Sequence, residues 1–353
     1  MNQFTPDYQN IVLAARNKVA PRIPLYEHGI SIGIMERITG QSFGSQFHGD
    51  FDDKCNFMRH YADFFRSMGY DTITFEQCIG PAMPGSGALG RHIQGVIRDR
   101  ADFERYPWKE IPEMYFTAFA KNFDALHLVM PQGMKAIGGV GNGIFECVQD
   151  LVGYTDLCYL AVDDPDLYAD LFKRMGDVSL AIWTSFMKRY ADDFCVLRFG
   201  DDLGFKSTTL LSASDIRQHI LPQYKRIVDL VHSYGKPFLL HSCGAIFDVM
   251  EDLISFVGID AKHSNEDQIA PFTTWFDCYG DRIGNFGGID MDNLCQKSES
   301  EVRTLVRDVM DASNGHGGFA LGSGNSIPDY VPISGYLSMV EACREYRGDM
   351  RAH

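Results

Sequence analysis

The chain has 353 residues, 45% hydrophobic and 22% charged, with 47 acidic and 32 basic side chains leaving a net charge of −15. That length buries a large core, and an acid excess without a clustered basic patch argues against nucleic acid and anionic membranes as partners. No apolar run approaches the ~18 residues of a spanning helix, and "MNQFTPDYQNIVLAARNKVAPR" lacks a signal core, so a cytoplasmic protein off the membrane is expected.

The first twenty residues are expected to form a helical lead-in. Eight strand-like runs follow, separated by amphipathic stretches: "RIPLYEHG" (22–29), "YDTITFEQ" (70–77), "MKAIGGVGN" (134–142), "FCVLRFGDD" (194–202), "PFLLHSCG" (237–244), "GIDAKHSNED" (258–267), "RIGNFGGID" (282–290) and "GFALGSGNS" (318–326). Between the second and third runs, residues 78–133 make a long insertion whose Gly/Pro-rich start, "GPAMPGSGALG", could close over a site as a lid. "SDIRQHILPQYKRIVDLVHSYG" has helical spacing, Ser214 as its expected cap and Gly235 at its end. "SESEVRTLVRDVMDASNG" starts with Ser298 or Ser300 as cap. Strands alternating with helices predict parallel pairing, and eight units favour one closed α/β barrel of TIM type spanning 1–353. No Gly-x-Gly-x-x-Gly follows the first run, which weakens a dinucleotide-binding reading.

Active sites of such barrels sit at the C-terminal strand ends. Here those ends carry Glu27 and His28, Glu76 and Gln77, Asn142, Asp201 and Asp202, His241 and Cys243, His263 and Glu266, Asp290, and Ser323 with Asn325. Asp202 and Asp290 are as well placed to cap the next helix as to act in a site. His241-x-Cys243 is the pair that asks for chemistry, because strand alternation puts both side chains on one face. Imidazole nitrogen and thiolate sulfur are both good zinc ligands, and bound zinc keeps the thiol deprotonated. A third ligand comes from elsewhere: His263 lies on the next run, with Asp201, Glu76 and Glu266 further out. A thiolate nucleophile at Cys243 and acid–base work by the Asp201–Asp202 pair stay open beside this. The nine cysteines otherwise have no framework spacing and read as reduced thiols.

"FGDDLGFKS", "YGKPFLLHSCG", "GIDAKH", "YGDRIGNFGGID" and "LGSGNSIPDYVP" resemble the uroporphyrinogen decarboxylase superfamily over roughly residues 20 to 348. The resemblance implies a single β/α barrel. Within it, the decarboxylase branch fits poorly: "PLYEHGISIGIMER" has no arginine before Arg37, and Gln77 stands where that branch has its catalytic aspartate. The branch of zinc methyltransferases that work with corrinoid proteins fits better through His241 and Cys243, although Ser323 stands where that branch has a third, cysteine ligand. Similarity to cobalamin-independent methionine synthases, which take a ligand one strand further on, implies a metal set of His241, Cys243 and His263, with Asp201 or Glu266 competing for the third place.

The resemblance thus implies zinc as cofactor, a methylcobamide carried by a partner corrinoid protein, and a small thiol, methyl ether or methylamine as methyl donor or acceptor. Asp201 and Glu76 would handle protons, while Tyr26, Asn142, Ser323 and Asn325 would line the pocket. Related barrels often dimerise, so a homodimer fits. A metal-free decarboxylase or lyase and a non-catalytic ligand-binding barrel are the other readings.

Overall fold

Seven of the eight apolar runs become strands of one sheet: β1 (Ile73–Cys78), β2 (Ala136–Gly141), β3 (Phe194–Gly200), β4 (Phe238–His241), β5 (Ala261–His263), β6 (Gly284–Ile289) and β7 (Phe319–Ser323). The computed structural model describes residues 4–90, 93–313 and 316–349. Neighbouring strands pair in parallel and in sequence order from β1 to β7, the pattern of an α/β TIM-like barrel.

The first run is the exception to the expected eight strands. Leu25 makes an isolated parallel bridge to Leu321, through Tyr26 N–H to the Leu321 carbonyl and Leu321 N–H to the Pro24 carbonyl. On the β1 side the contact passes through a side chain, the Thr74 hydroxyl donating to the Glu27 carbonyl at 2.6 Å. Pro24 has no N–H to give, so a ladder cannot continue through it. The segment is an eighth stave held by few bonds.

The lead-in folds as the helix Gln9–Ala15. Its Ile11, Ala14 and Ala15 pack with Tyr26, Ile137, Val196, Leu239, Ala261, Phe286 and Ala320 in an inner core. A larger core, with Trp183, Phe186, Phe199, Tyr224 and Phe238 among its buried side chains, joins the strands to the helices. Each such side chain contributes roughly 1.5–3 kcal/mol of burial.

Within 78–133, the helix Ile111–Val129 packs on Phe51–Met68 as an ordinary crossover helix would. The stretch before it lies along the helix Ile144–Val152, with Gly87 and Ala88 N–H bonded to the Asp150 carbonyl and Ile97 N–H to Leu151. The helix expected from Ser214 starts two residues earlier, where Ser212 accepts from Asp215 N–H. A π-turn at Ile216–Ile220 then leads into Leu221–Ser233, because Pro222 lacks the N–H that a regular turn needs. Ser298 caps the helix Glu299–Ser313 together with Glu301. Asp290 caps Met291–Gln296.

Candidate functional site

Parallel register places Gly200, His241 and His263 in one row across β3, β4 and β5. Gly200 leaves room for the imidazole, since a methyl there would lie 3.3 Å from His241 Cδ2. His28, at the end of the first run, stacks on His241 with ring centres 3.6 Å apart. Tyr26 meets His263 edge-on at 5.2 Å.

The hydrogen bonds fix the tautomers. Three contacts matter: His241 Nδ1 to His263 Nδ1 at 2.7 Å, His263 Nε2 to the Ser323 carbonyl at 2.9 Å, and Cys243 Sγ to His241 Nε2 at 3.5 Å. Burial holds His241 well below the usual imidazole range and pushes His263 down to about 3, so both rings are neutral. A carbonyl only accepts, so His263 Nε2 carries the hydrogen and its Nδ1 is a lone pair. His241 Nδ1 must then donate to it. His241 Nε2 is left as a lone pair facing the Cys243 thiol.

Asp202 completes that corner. Its Oδ1 accepts from Cys243 N–H at 2.9 Å and lies 3.8 Å from His241 Nε2. Ligand atoms of Asp202, His241 and Cys243 all fall within 4.8 Å of one another, as do those of His28, His241 and His263. The all-histidine set is already spent: both His263 nitrogens are bonded, and His28 Nδ1 accepts from Arg198 Nη1 at 2.7 Å. In the Asp202, His241, Cys243 set the His241 Nε2 lone pair faces the thiol, and the Asp202 and Cys243 atoms accept hydrogen bonds with lone pairs to spare. Tetrahedral zinc bonds of 2.0–2.3 Å require ligand atoms about 3.4–3.6 Å apart. The observed 3.5 Å between Cys243 Sγ and His241 Nε2 falls in that range, and the 3.8 Å from His241 Nε2 to Asp202 Oδ1 lies just beyond it. Burial, then Asp202, raises the Cys243 thiol to about 12 without a metal. A metal bound there would have to displace the thiol proton.

The remaining expected residues divide. Asn325 Nδ2 donates to Cys243 Sγ at 3.3 Å, and the Ser264 hydroxyl reaches the same sulfur at 3.6 Å. Ser323 is buried beneath them; its hydroxyl contacts Glu27 and the Asn325 carbonyl. Asp201 turns away: its carboxylate takes the N–H groups of Phe145 and Glu146, both at 2.8 Å, and the Tyr224 hydroxyl, anchoring the start of the helix Ile144–Val152. Asn142 lies beside it, bonded to Glu146 and to Gly80 N–H. Tyr26 is buried and bonds Arg198 at 2.8 Å. Glu76 pairs with Arg198 at 2.6 Å.

Arg198 and Lys262 carry no weight in a motif search, yet both are buried. Each is a cation inside an apolar strand run, and that is a readable signal. Lys262 lies over the Trp275 ring at 3.6 Å, and burial brings its pKa down to about 7.

Two cavities of about 400 Å³ flank the site. One is lined by Ile30, Ile32, Phe47, Phe57, Phe75 and Glu76, with His28 as the wall towards His241. The other is polar, with Asn265, Glu266, Asp290 and Asp292, and Asn325 as the wall towards Cys243. Ser326 borders both.

A parallel α/β barrel with a histidine, a thiol and a carboxylate gathered at its C-terminal strand ends defines a class of enzyme-like scaffolds. The particular family follows from residues 85–346, which match the uroporphyrinogen decarboxylase (URO-D) family, and the chain belongs to it. No curated protein matches the sequence. Among solved structures, a methyltransferase from Methanosarcina mazei is similar at TM-score 0.71 and 14% identity, over 96% of this chain and 98% of that one. A candidate vitamin-B12 independent methionine synthase from Listeria monocytogenes gives 0.47 at 12% identity over the whole of both chains. At 14% identity the likeness to the Methanosarcina mazei structure shows the fold alone. Among the described residues no helix is long and apolar enough to cross a membrane.

Proposed function

We propose that the chain is a metal-dependent methyltransferase, moving a methyl group between a small substrate and the methylcobamide of a corrinoid protein. The observation that carries this reading is the ready-made trio of His241 Nε2, Cys243 Sγ and Asp202 Oδ1. Three protein ligands leave a fourth position open, the pattern of a catalytic rather than a structural zinc. Zinc bound there supplies a Lewis acid for the oxygen or sulfur of the substrate. The chain's own residues do the rest. His263 fixes the His241 tautomer, Asn325 and Ser264 donate to the sulfur, and Asp202 holds the Cys243 backbone. His263 thereby takes the place of a buttress, and Asp202 that of the third ligand. The methyltransferase neighbour from Methanosarcina mazei has the same fold and supports the reading at that level.

Among thiols, ethers and amines, the apolar cavity favours an uncharged substrate. Its Glu76 carboxylate is already matched by Arg198, so its polar end carries no net charge. Tyr61 and Thr74 spend their hydroxyls on backbone carbonyls. An uncharged methyl ether on an apolar body suits these walls better than a methylammonium ion.

Metal content tests the reading first. About one zinc per chain, lost in Cys243→Ala and His241→Ala, together with methyl transfer to a corrinoid acceptor, is the expected result. A parent protein that neither contains nor takes up zinc would overturn it.

A further inference from the structure

Glu27 ends the first run in a fully buried position with no cation in contact among the described residues. Its neighbours are Ser323 on β7, Tyr70 after the helix Phe51–Met68, and Tyr336 behind Tyr70 on the helix Ile333–Tyr346. Tyr26, Tyr70 and Tyr336 are the other titratable groups facing it. Burial raises all three, so they stay neutral over the ordinary range.

Ser323 sits at the junction of two arms. Its carbonyl holds His263, and through it His241. Its hydroxyl contacts the Asn325 backbone carbonyl, and the Asn325 side-chain amide, its Oδ1 held by Ser326 N–H at 2.8 Å, donates to Cys243 Sγ. The same hydroxyl also contacts Glu27 Oε2. One hydroxyl hydrogen cannot make two full hydrogen bonds at once. The Asn325 carbonyl can never donate, so both contacts are satisfied only when Glu27 supplies a proton of its own.

We infer that Glu27 is a positioning residue that works as a neutral acid: it donates to Ser323 and frees the serine hydroxyl to hold the Asn325 backbone, the base from which the Asn325 side-chain amide reaches Cys243. Ionised Glu27 would claim the serine hydrogen and leave the Asn325 carbonyl against a lone pair. Burial pushes the Glu27 pKa up to about 8, consistent with a protonated acid at neutral pH. The inference rests on the metal reading only for its functional consequence. The protonation state stands apart from it.

The test compares wild type with Glu27→Gln, whose amide mimics the neutral acid, and Glu27→Ala, which keeps neither contact. Infrared difference spectra at neutral pH are expected to show a protonated-carboxyl band in the wild type that disappears in Glu27→Gln. Cobalt(II), an optical probe of a sulfur-containing site, is expected to bind wild type and Glu27→Gln equally near neutral pH. Above the Glu27 pKa the Gln variant gains on wild type by up to about tenfold per pH unit. A wild-type spectrum without that band, or a Gln variant as impaired at neutral pH as the Ala variant, would overturn the inference. If none of the three proteins binds cobalt or zinc, the metal reading fails. The infrared band, and the place of Asn325 in crystal structures of the two variants, then decide the Glu27 inference separately.

Discussion

Replacing Asp202 by asparagine separates the two candidate third ligands. The side chain is about half exposed, and its contact with Cys243 N–H uses an oxygen that asparagine retains. Folding stability should therefore change by no more than ~0.5 kcal/mol. The metal should feel the change strongly. A zinc site with four ligands is worth roughly 10–16 kcal/mol, so one ligand carries about 3–4 kcal/mol, or a few hundredfold in affinity. His263→Asn disturbs a partner of a ligand instead, for which about 10–100-fold is typical. Zinc competition against a chromophoric chelator, with unfolding curves on the same samples, measures both effects. Wild-type affinity in Asp202→Asn with complete loss in His263→Asn would refute the tautomer reasoning and make His263 the third ligand.

Gly200→Ala sets a methyl 3.3 Å from His241 Cδ2, on a ring held through Nδ1 and stacked on His28, so zinc affinity should fall with little loss of helix signal by circular dichroism. Glu76→Ala leaves Arg198 buried without its counter-ion and should destabilise the fold by about 3–5 kcal/mol in denaturant titrations, while Glu76→Gln loses less. For Glu27, a folded pKa of about 8 against 4.5 means that the group contributes ~5 kcal/mol of stability below pH 4.5, lost as the pH rises to 8. Denaturant titrations should find Glu27→Gln close to wild type near pH 4.5 and increasingly more stable as the pH rises to 8.

Most of the fold was legible because strand runs and helix caps are local. The last seven runs lie within a few residues of their strands, as with 194–202 against Phe194–Gly200 and 318–326 against Phe319–Ser323. Two departures share one cause. Pro24 keeps the first run from laddering, and Pro222 displaces the regular helix start behind a π-turn, so an absent N–H outweighed apolar spacing in both places.

The site was legible only to the depth that strand alternation reaches. His241 and Cys243 could be paired from their spacing, because two residues on one strand share a face. Alternation also implies that only one of Asp201 and Asp202 faces the mouth, and it cannot say which. The choice is made by Phe145 and Glu146, whose N–H groups at the start of the helix Ile144–Val152, which follows the neighbouring strand β2, draw Asp201 outward and leave Asp202 beside Cys243. His263 stands where a ligand should, but direction of donation is a property of three residues together: Ser323 offers a carbonyl, His263 must donate to it, and His241 must donate to His263. Ser323 shows the same limit. Read alone it is a poor metal ligand in the place where a cysteine was expected. In the folded chain its carbonyl steadies the histidine arm and its hydroxyl contacts the arm that reaches the sulfur, while the Asp202 carboxylate enters the same corner from β3's end.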